Sequence, residues 1–348
     1  MTLSKPSKPS GIESLPVEVI DQITSYHAGS QAFLKKLRLV RPFHKSASAL
    51  ACHTFRFTLS PNNPDELEKT CETTFVDYVE TLYLELDHSV YMFSQNQWDK
   101  ATAGAAMDCI ERCLKFFPRL KHLIVLCPPH VSWGWCGYRS AMRPDILKSA
   151  MTALTLSPPP TLTGLDIRYP ERLKLKSADD ANPGIASWVK NLHSISLTFD
   201  QLYKHKDDAV CELLQHGANL ETVRLTRYTR LSNIPRLLIH HKAPLKCLEL
   251  WDVTISGESL AYTIASFKRT VTRMVLVDVD LSDGRWEDVL LELSTCQNLV
   301  DLDICMPIGY ARDEKSYETK LALYDKLEKR CRVIKEQVRA WRIAGDHD

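Results

Sequence analysis

Glycine is scarce in this chain, at 12 residues in 348. The Gly-rich devices that cradle phosphates are accordingly missing: there is no P-loop, no G-x-G-x-x-G and no G-x-S-x-G nucleophile turn. Excess charge is missing too. Lys plus Arg total 44 and Asp plus Glu 43, a net +1 that gives no bulk attraction to nucleic acid or anionic membrane. No apolar run reaches 18 residues, so nothing reads as a membrane-crossing helix. The opening MTLSKPSKPSG lacks the apolar middle of a secretory signal, and no N-x-S/T sequon occurs. C-x-x-C pairs are absent, and the 11 cysteines are odd in number and irregularly spaced. They read as reduced thiols at apolar positions of an intracellular protein, cytoplasmic or nuclear. Cys109 with Cys113, and His240–His241 near Cys247, come nearest to a zinc set but lack its ligand spacing. Asp278–Gly284 brushes against a calcium loop and fails, because the twelfth position is Val289 rather than Glu. No Ser/His/Asp or Cys/His combination is singled out. The expectation is a chain without cofactor or metal that is not an enzyme.

What is present is a repeated apolar code. In Pro244–Ser256 (PLKCLELWDVTIS), Leu245, Leu248, Leu250, Val253 and Ile255 follow L-x-x-L-x-L-x-x-V-x-I, close to the leucine-rich-repeat template. The three-residue part recurs as Val79/Leu82/Leu84, Leu120/Leu123/Val125, Leu162/Leu165/Ile167 and Leu192/Ile195/Leu197. It continues as Leu220/Val223/Leu225, Val271/Met274/Leu276 and Leu299/Leu302/Ile304. The starting positions 79, 120, 162, 192, 220, 245, 271 and 299 become nearly evenly spaced toward the end. Alternate strand residues face opposite ways, so Leu248 and Leu250 point inward while Cys247, Glu249 and Trp251 point outward. Return segments with helical apolar spacing follow at Asp207–His216, Gly257–Arg269 and Asp283–Gln297. Strand plus helix in under 30 residues cannot bury its own core, so neighbours must stack.

Taken in order, residues 1–11 read as a disordered tail, 12–59 as a small all-helical module and 60–78 as a polar linker. Residues 79–308 read as the repeats and 313–345 as a closing amphipathic helix with Tyr317, Leu321, Tyr324, Leu327, Cys331, Ile334, Val338 and Trp341 on one stripe. The expected fold class is α/β: a helical module, then a leucine-rich-repeat solenoid of about eight irregular repeats, closed by a C-terminal helix. Two insertions interrupt the spacing. One, at 127–144, carries Trp133, Trp135 and Tyr138, either as a binding loop or folded back onto the repeats. The other, Glu171–Pro183, is charged and reads as a solvated loop.

Within 14–60, L-P-x-E-V-I-x-x-I, then L-R-L-V-R-P-F-H-K-S-A, then F-R-F-T-L-S-P resembles the N-terminal F-box of fungal F-box proteins. Leu15, Pro16, Val19, Ile20 and Ile23 match the first motif, and Leu37, Val40 and Phe43 the second. Thr24 and His27 depart from it, standing where the family carries bulky aliphatics. The resemblance implies that these residues bind a Skp-type adaptor and through it a cullin, as in a cullin–RING ubiquitin ligase. It implies also that the repeats hold the protein to be ubiquitinated, whose identity is unknown. The alternatives are a plain helical cap on a protein-interaction scaffold with no ligase connection, and an enzyme with an unrecognised site.

The outward strand positions name the substrate face: Asp166, Arg168, Ser196, Arg224, Thr226, Glu249, Trp251, Arg273, Asp301 and Asp303. Their mixed charge suits a protein partner, whereas a nucleic acid asks for a consistently basic face. Arg224 and Trp251 are the expected anchors, Arg and Trp being the residues that dominate interface hot spots.

Overall fold

The structure is a computed structural model that describes residues 15–26, 30–37, 39–40, 43–60, 66–86, 100–127, 146–168, 187–199, 213–227, 229–231 and 244–305, with 329, 332–334, 336–337 and 340 near the C-terminus. In it each apolar code becomes a strand. The strands are β1 (Thr54–Leu59), β2 (Thr81–Leu86), β3 (His122–Leu126), β4 (Gly164–Arg168), β5 (Ser194–Thr198) and β6 (Thr222–Thr226). They continue as β7 (Thr229–Leu231), β8 (Cys247–Ile255), β9 (Arg273–Leu281) and β10 (Asp301–Cys305). All pair parallel. Nine lie in strict chain order, β1 to β6 followed by β8 to β10, and the short β7 runs beside the far end of β8.

Across the nine strands in chain order the register is uniform, so residues of one kind form rows across the sheet. Leu82, Leu123, Leu165, Ile195, Val223, Leu248, Met274 and Leu302 form one inward row. Leu84, Val125, Ile167, Leu197, Leu225, Leu250, Leu276 and Ile304 form the next. All are buried except Ile304, which packs half-buried against the same core. A fully buried side chain of this size stabilises by roughly 1.5–3 kcal/mol, so the rows fix which face points inward. Register is also pinned just before the strands. Backbone N–H groups of Glu80, Lys121, Thr163, His193, Glu221, Lys246, Thr272 and Val300 each donate to the carbonyl of the preceding member of the series, starting from His53, at 2.7–2.9 Å.

The core lies between this sheet and its connecting helices α4 (Glu66–Cys71), α5 (Lys100–Cys113), α6 (Ile146–Leu156), α7 (Gly257–Phe267) and α8 (Trp286–Leu293). Ser256 caps α7, accepting from the Ser259 N–H at 3.3 Å, and its hydroxyl donates to Asp283 at 2.7 Å, tying one strand exit to the next. Arg227, Asp252 and Asp278 have φ of 58°, 53° and 52°. They follow Thr226, Trp251 and Val277, which sit side by side on adjacent strands. A left-handed residue adds one extra outward position to the pleat, so the buried Val253 and Val279 come two residues later rather than one.

The expected helical module followed by a repeat solenoid is not the architecture found. A continuous all-parallel sheet alternating with helices, an α/β fold, takes its place. The sheet already begins at Thr54, inside the stretch assigned to the module, because T-F-R-F-T-L alternates and pairs along its length with β2. The expected linker at 60–78 contains α4 and a 3-10 turn at Thr74–Tyr78, which put Leu67 and Val76 into the main core. Of the expected closing helix, Ile334 is buried in that core, and most of 313–345 lies outside the described residues. Both insertions lie outside them as well, apart from Cys127.

Among the described residues, three helices precede the sheet: α1 (Val17–Tyr26), α2 (Gln31–Leu37) and α3 (His44–Cys52). They share a small core of Ile20, Phe43 and Ala47, with Leu15, Ile23 and Leu37 packed against it. Ser46 donates to Asp21, joining α3 to α1.

Candidate functional site

The helices cover one side of the sheet, and the outward rows make the other. The middle outward row reads Arg56, Tyr83, Ile124, Asp166, Ser196, Arg224, Glu249, Val275 and Asp303 from β1 to β10. The row beyond it reads Thr58, Glu85, Leu126, Arg168, Thr198, Thr226, Trp251, Val277 and Cys305. Over β4, β5, β6 and β8 these rows enclose a groove of about 340 Å³ lined by Asp166, Arg168, Ser196, Thr198, Arg224, Thr226 and Trp251. Valines at 275 and 277 replace polar residues on β9.

A buried carboxylate organises one wall. Glu249 is only 4% exposed although it points outward, because neighbours on both sides lie over it. Arg224 Nε donates to its Oε2 at 2.5 Å, and the Trp251 indole N–H reaches the same oxygen at 3.4 Å. Arg273 Nε lies 3.5 Å from Oε1 and also 3.5 Å from Asp301 Oδ2, so the ion chain crosses four strands, β6, β8, β9 and β10. Burial pushes the Glu249 carboxyl up, but the Arg224 hydrogen bond and charge, the Trp251 N–H and the Arg273 charge outweigh it and hold the group below the usual carboxylate value. The Cys247 thiol beside it is pushed up to about 11 by burial and by the Glu249 charge, which makes it a poor nucleophile.

On the opposite wall, Arg168 chelates Asp166 Oδ2 through Nε at 2.9 Å and Nη2 at 2.7 Å. Asp166 Oδ1 is buried and has no hydrogen-bond partner among the described residues.

A third feature lies toward the strand starts. Gly164 leaves room on β4 for the His122 ring, whose Nδ1 would sit 2.1 Å from a Cβ at that position. Burial against this surface, with the charge of Lys121, lowers the His122 pKa.

Of the residues expected on the substrate face, Asp166, Arg168, Arg224 and Trp251 meet in the groove with Ser196 and Thr226. Glu249 lies beneath them as the counter-ion of Arg224, Arg273 links it to Asp301, and Asp303 stands apart on β10. Thr198 lines the groove and was not among the expected residues, though the period-2 alternation that selected Ser196 points to it equally. Of the residues expected to meet an adaptor, Pro16, Val19 and Val40 are exposed and Leu15, Ile23 and Leu37 half-buried. Ile20 and Phe43 are buried in the helical core, which makes them supports for such a surface.

Cys109 and Cys113 do meet, Sγ to Sγ at 3.9 Å and both buried, but no group of three or more His, Cys, Asp and Glu suited to a metal ion occurs among the described residues. His240 and His241 lie outside them. No described helix is long and apolar enough to cross a membrane. No protein-family model matches the chain, and no curated protein does.

Proposed function

We propose that the chain is the substrate-receptor subunit of a Skp–cullin–F-box type ubiquitin ligase, acting in the cytoplasm or nucleus. Helices α1 to α3 would meet the Skp-type adaptor, and the outer face of the sheet would hold the protein to be ubiquitinated. Ubiquitin transfer then belongs to the partners, and this chain contributes binding alone.

The observation that carries the reading is the apolar surface of the N-terminal helices. Among the described residues their shared apolar core is Ile20, Phe43 and Ala47, yet Val17, Tyr26 and Leu39 are 64%, 86% and 80% exposed, and Val19, Phe33 and Val40 are exposed as well. Six large apolar side chains exposed on so small a unit are the kind of residues that a protein partner covers. Val19 and Val40 are among these six and also match the F-box motifs, as does Pro16, which is exposed beside them in sequence.

Co-purification of the full chain with a Skp-type adaptor tests the reading at low cost. Failure to retain the adaptor would leave a protein-interaction scaffold without a ligase connection.

A further inference from the structure

The groove over β4, β5, β6 and β8 holds a charged donor group that the fold leaves partly unspent among the described residues. Arg224 uses Nε on Glu249, its side chain remains 49% exposed, and its terminal guanidinium nitrogens make no hydrogen bond among the described residues. Arg168, by contrast, spends Nε and Nη2 on Asp166. The hydroxyls of Ser196, Thr198 and Thr226 also have no partner among the described residues, and Trp251 is held in place by its N–H bond to Glu249.

We infer that this groove takes an extended peptide segment and that the two terminal guanidinium nitrogens of Arg224 hold a carboxylate of that segment. The inference rests on reading this face as the substrate surface and adds the chemistry it selects. Four adjacent strands at about 4.8 Å spacing span roughly 14 Å, the length of about four extended residues. The two terminal nitrogens form a planar pair of N–H donors that matches a carboxylate edge. Glu249 holds Arg224 in place before binding, so little side-chain entropy is lost when the ligand arrives. Charge favours a single negative group. Asp166 lines the space with Arg168 and Arg224, and Glu249 lies buried behind Arg224, so the groove is near neutral and a doubly charged phosphate meets one carboxylate in the groove and a second close behind it. The hydroxyls suit peptide backbone groups, and the Trp251 ring gives an adjoining side chain an apolar wall.

The carboxylate has two sources, an Asp or Glu side chain or a peptide C-terminus, and the experiment separates them. Immobilised full-length chain is presented with two heptapeptide libraries, one amidated and one with free C-termini. Glutamate, glutamine, lysine or phosphoserine is fixed at each position in turn. Selection of glutamate over glutamine by about tenfold in the amidated library supports the side-chain source, and a similar preference for free over amidated peptides supports the terminal source. Arg224→Lys keeps the charge beside Glu249 but loses the planar pair, so the preference should collapse while urea unfolding stays near wild type. Equal capture of glutamate and glutamine with no preference for a free terminus, a preference for lysine or phosphoserine, or an unchanged preference in Arg224→Lys would each overturn the inference. The library needs no adaptor: lost carboxylate selection with adaptor binding intact sinks only this inference, and the reverse pattern sinks only the ligase reading.

Discussion

Arg224 on β6 and Glu249 on β8 stand opposite one another in the sheet register, 25 residues apart in sequence, with Nε donating to Oε2 at 2.5 Å. The half-exposed guanidinium is thus fastened to a carboxylate that is almost fully out of water. A carboxylate so buried is tolerated as an anion only while it is paired, which makes the loss of that pairing measurable.

Glu249→Gln should lower stability at neutral pH by about 1–3 kcal/mol, toward the lower end because Arg224 and Arg273 can both turn to water. The pH dependence follows from the sign of the shift. The folded pKa of Glu249 is depressed, so its contribution is complete above the unfolded carboxylate value of about 4.3 and is lost as pH falls through the lower folded value. Urea unfolding as a function of pH should show a shallower acid limb in the variant than in wild type. Parallel limbs would mean that the pairing adds nothing to folding.

The ladder of left-handed residues makes a backbone prediction. Asp278 is exposed and its φ is 52°, a region where Asp is tolerated and β-branched residues are strained. Asp278→Val should therefore cost about 1–2 kcal/mol, while Asp278→Gly should match wild type or gain up to about 1 kcal/mol. Equal midpoints for the valine and glycine variants in urea would show that the ladder carries no strain.

Gly164 and His122 give a prediction readable by NMR. Wild-type His122 should titrate below the usual imidazole value, because it is partly desolvated against β4. In Gly164→Ala the new methyl occupies the place of the ring, which must move toward solvent, so the His122 pKa should rise. An unchanged titration curve would contradict the packing described.

Much of the sheet was legible because strand burial has period two. Leu245/Leu248/Leu250 and its seven counterparts lie where the three-residue code placed them, and the outward set followed from the intervening positions. What failed was division of the chain. Phe55, Phe57 and Leu59 alternate as a strand does, but the residues around them also match a helical-module motif, and local pattern alone does not choose between the two. Lateral contacts were not legible at all. Glu249 reads in sequence as one more outward charged residue, and its burial depends on Arg224 and Arg273, delivered by neighbouring strands at a register that only pairing reveals. For the same reason Pro16, Val19 and Val40 could not be told apart in sequence from Ile20 and Phe43, which hold the helices together.

That distinction supplies the most direct test of the receptor reading, which is the affinity of the full chain for a purified Skp-type adaptor by isothermal titration calorimetry. Val19 and Val40 are 37% and 41% exposed, so Val19→Glu with Val40→Glu places charge on the surface and spares the helical core. Wild type should bind at a one-to-one ratio, and the double variant should bind at least about tenfold more weakly with an unchanged melting temperature. A wild-type chain that gives no binding, or a double variant that binds as tightly as wild type, would contradict it.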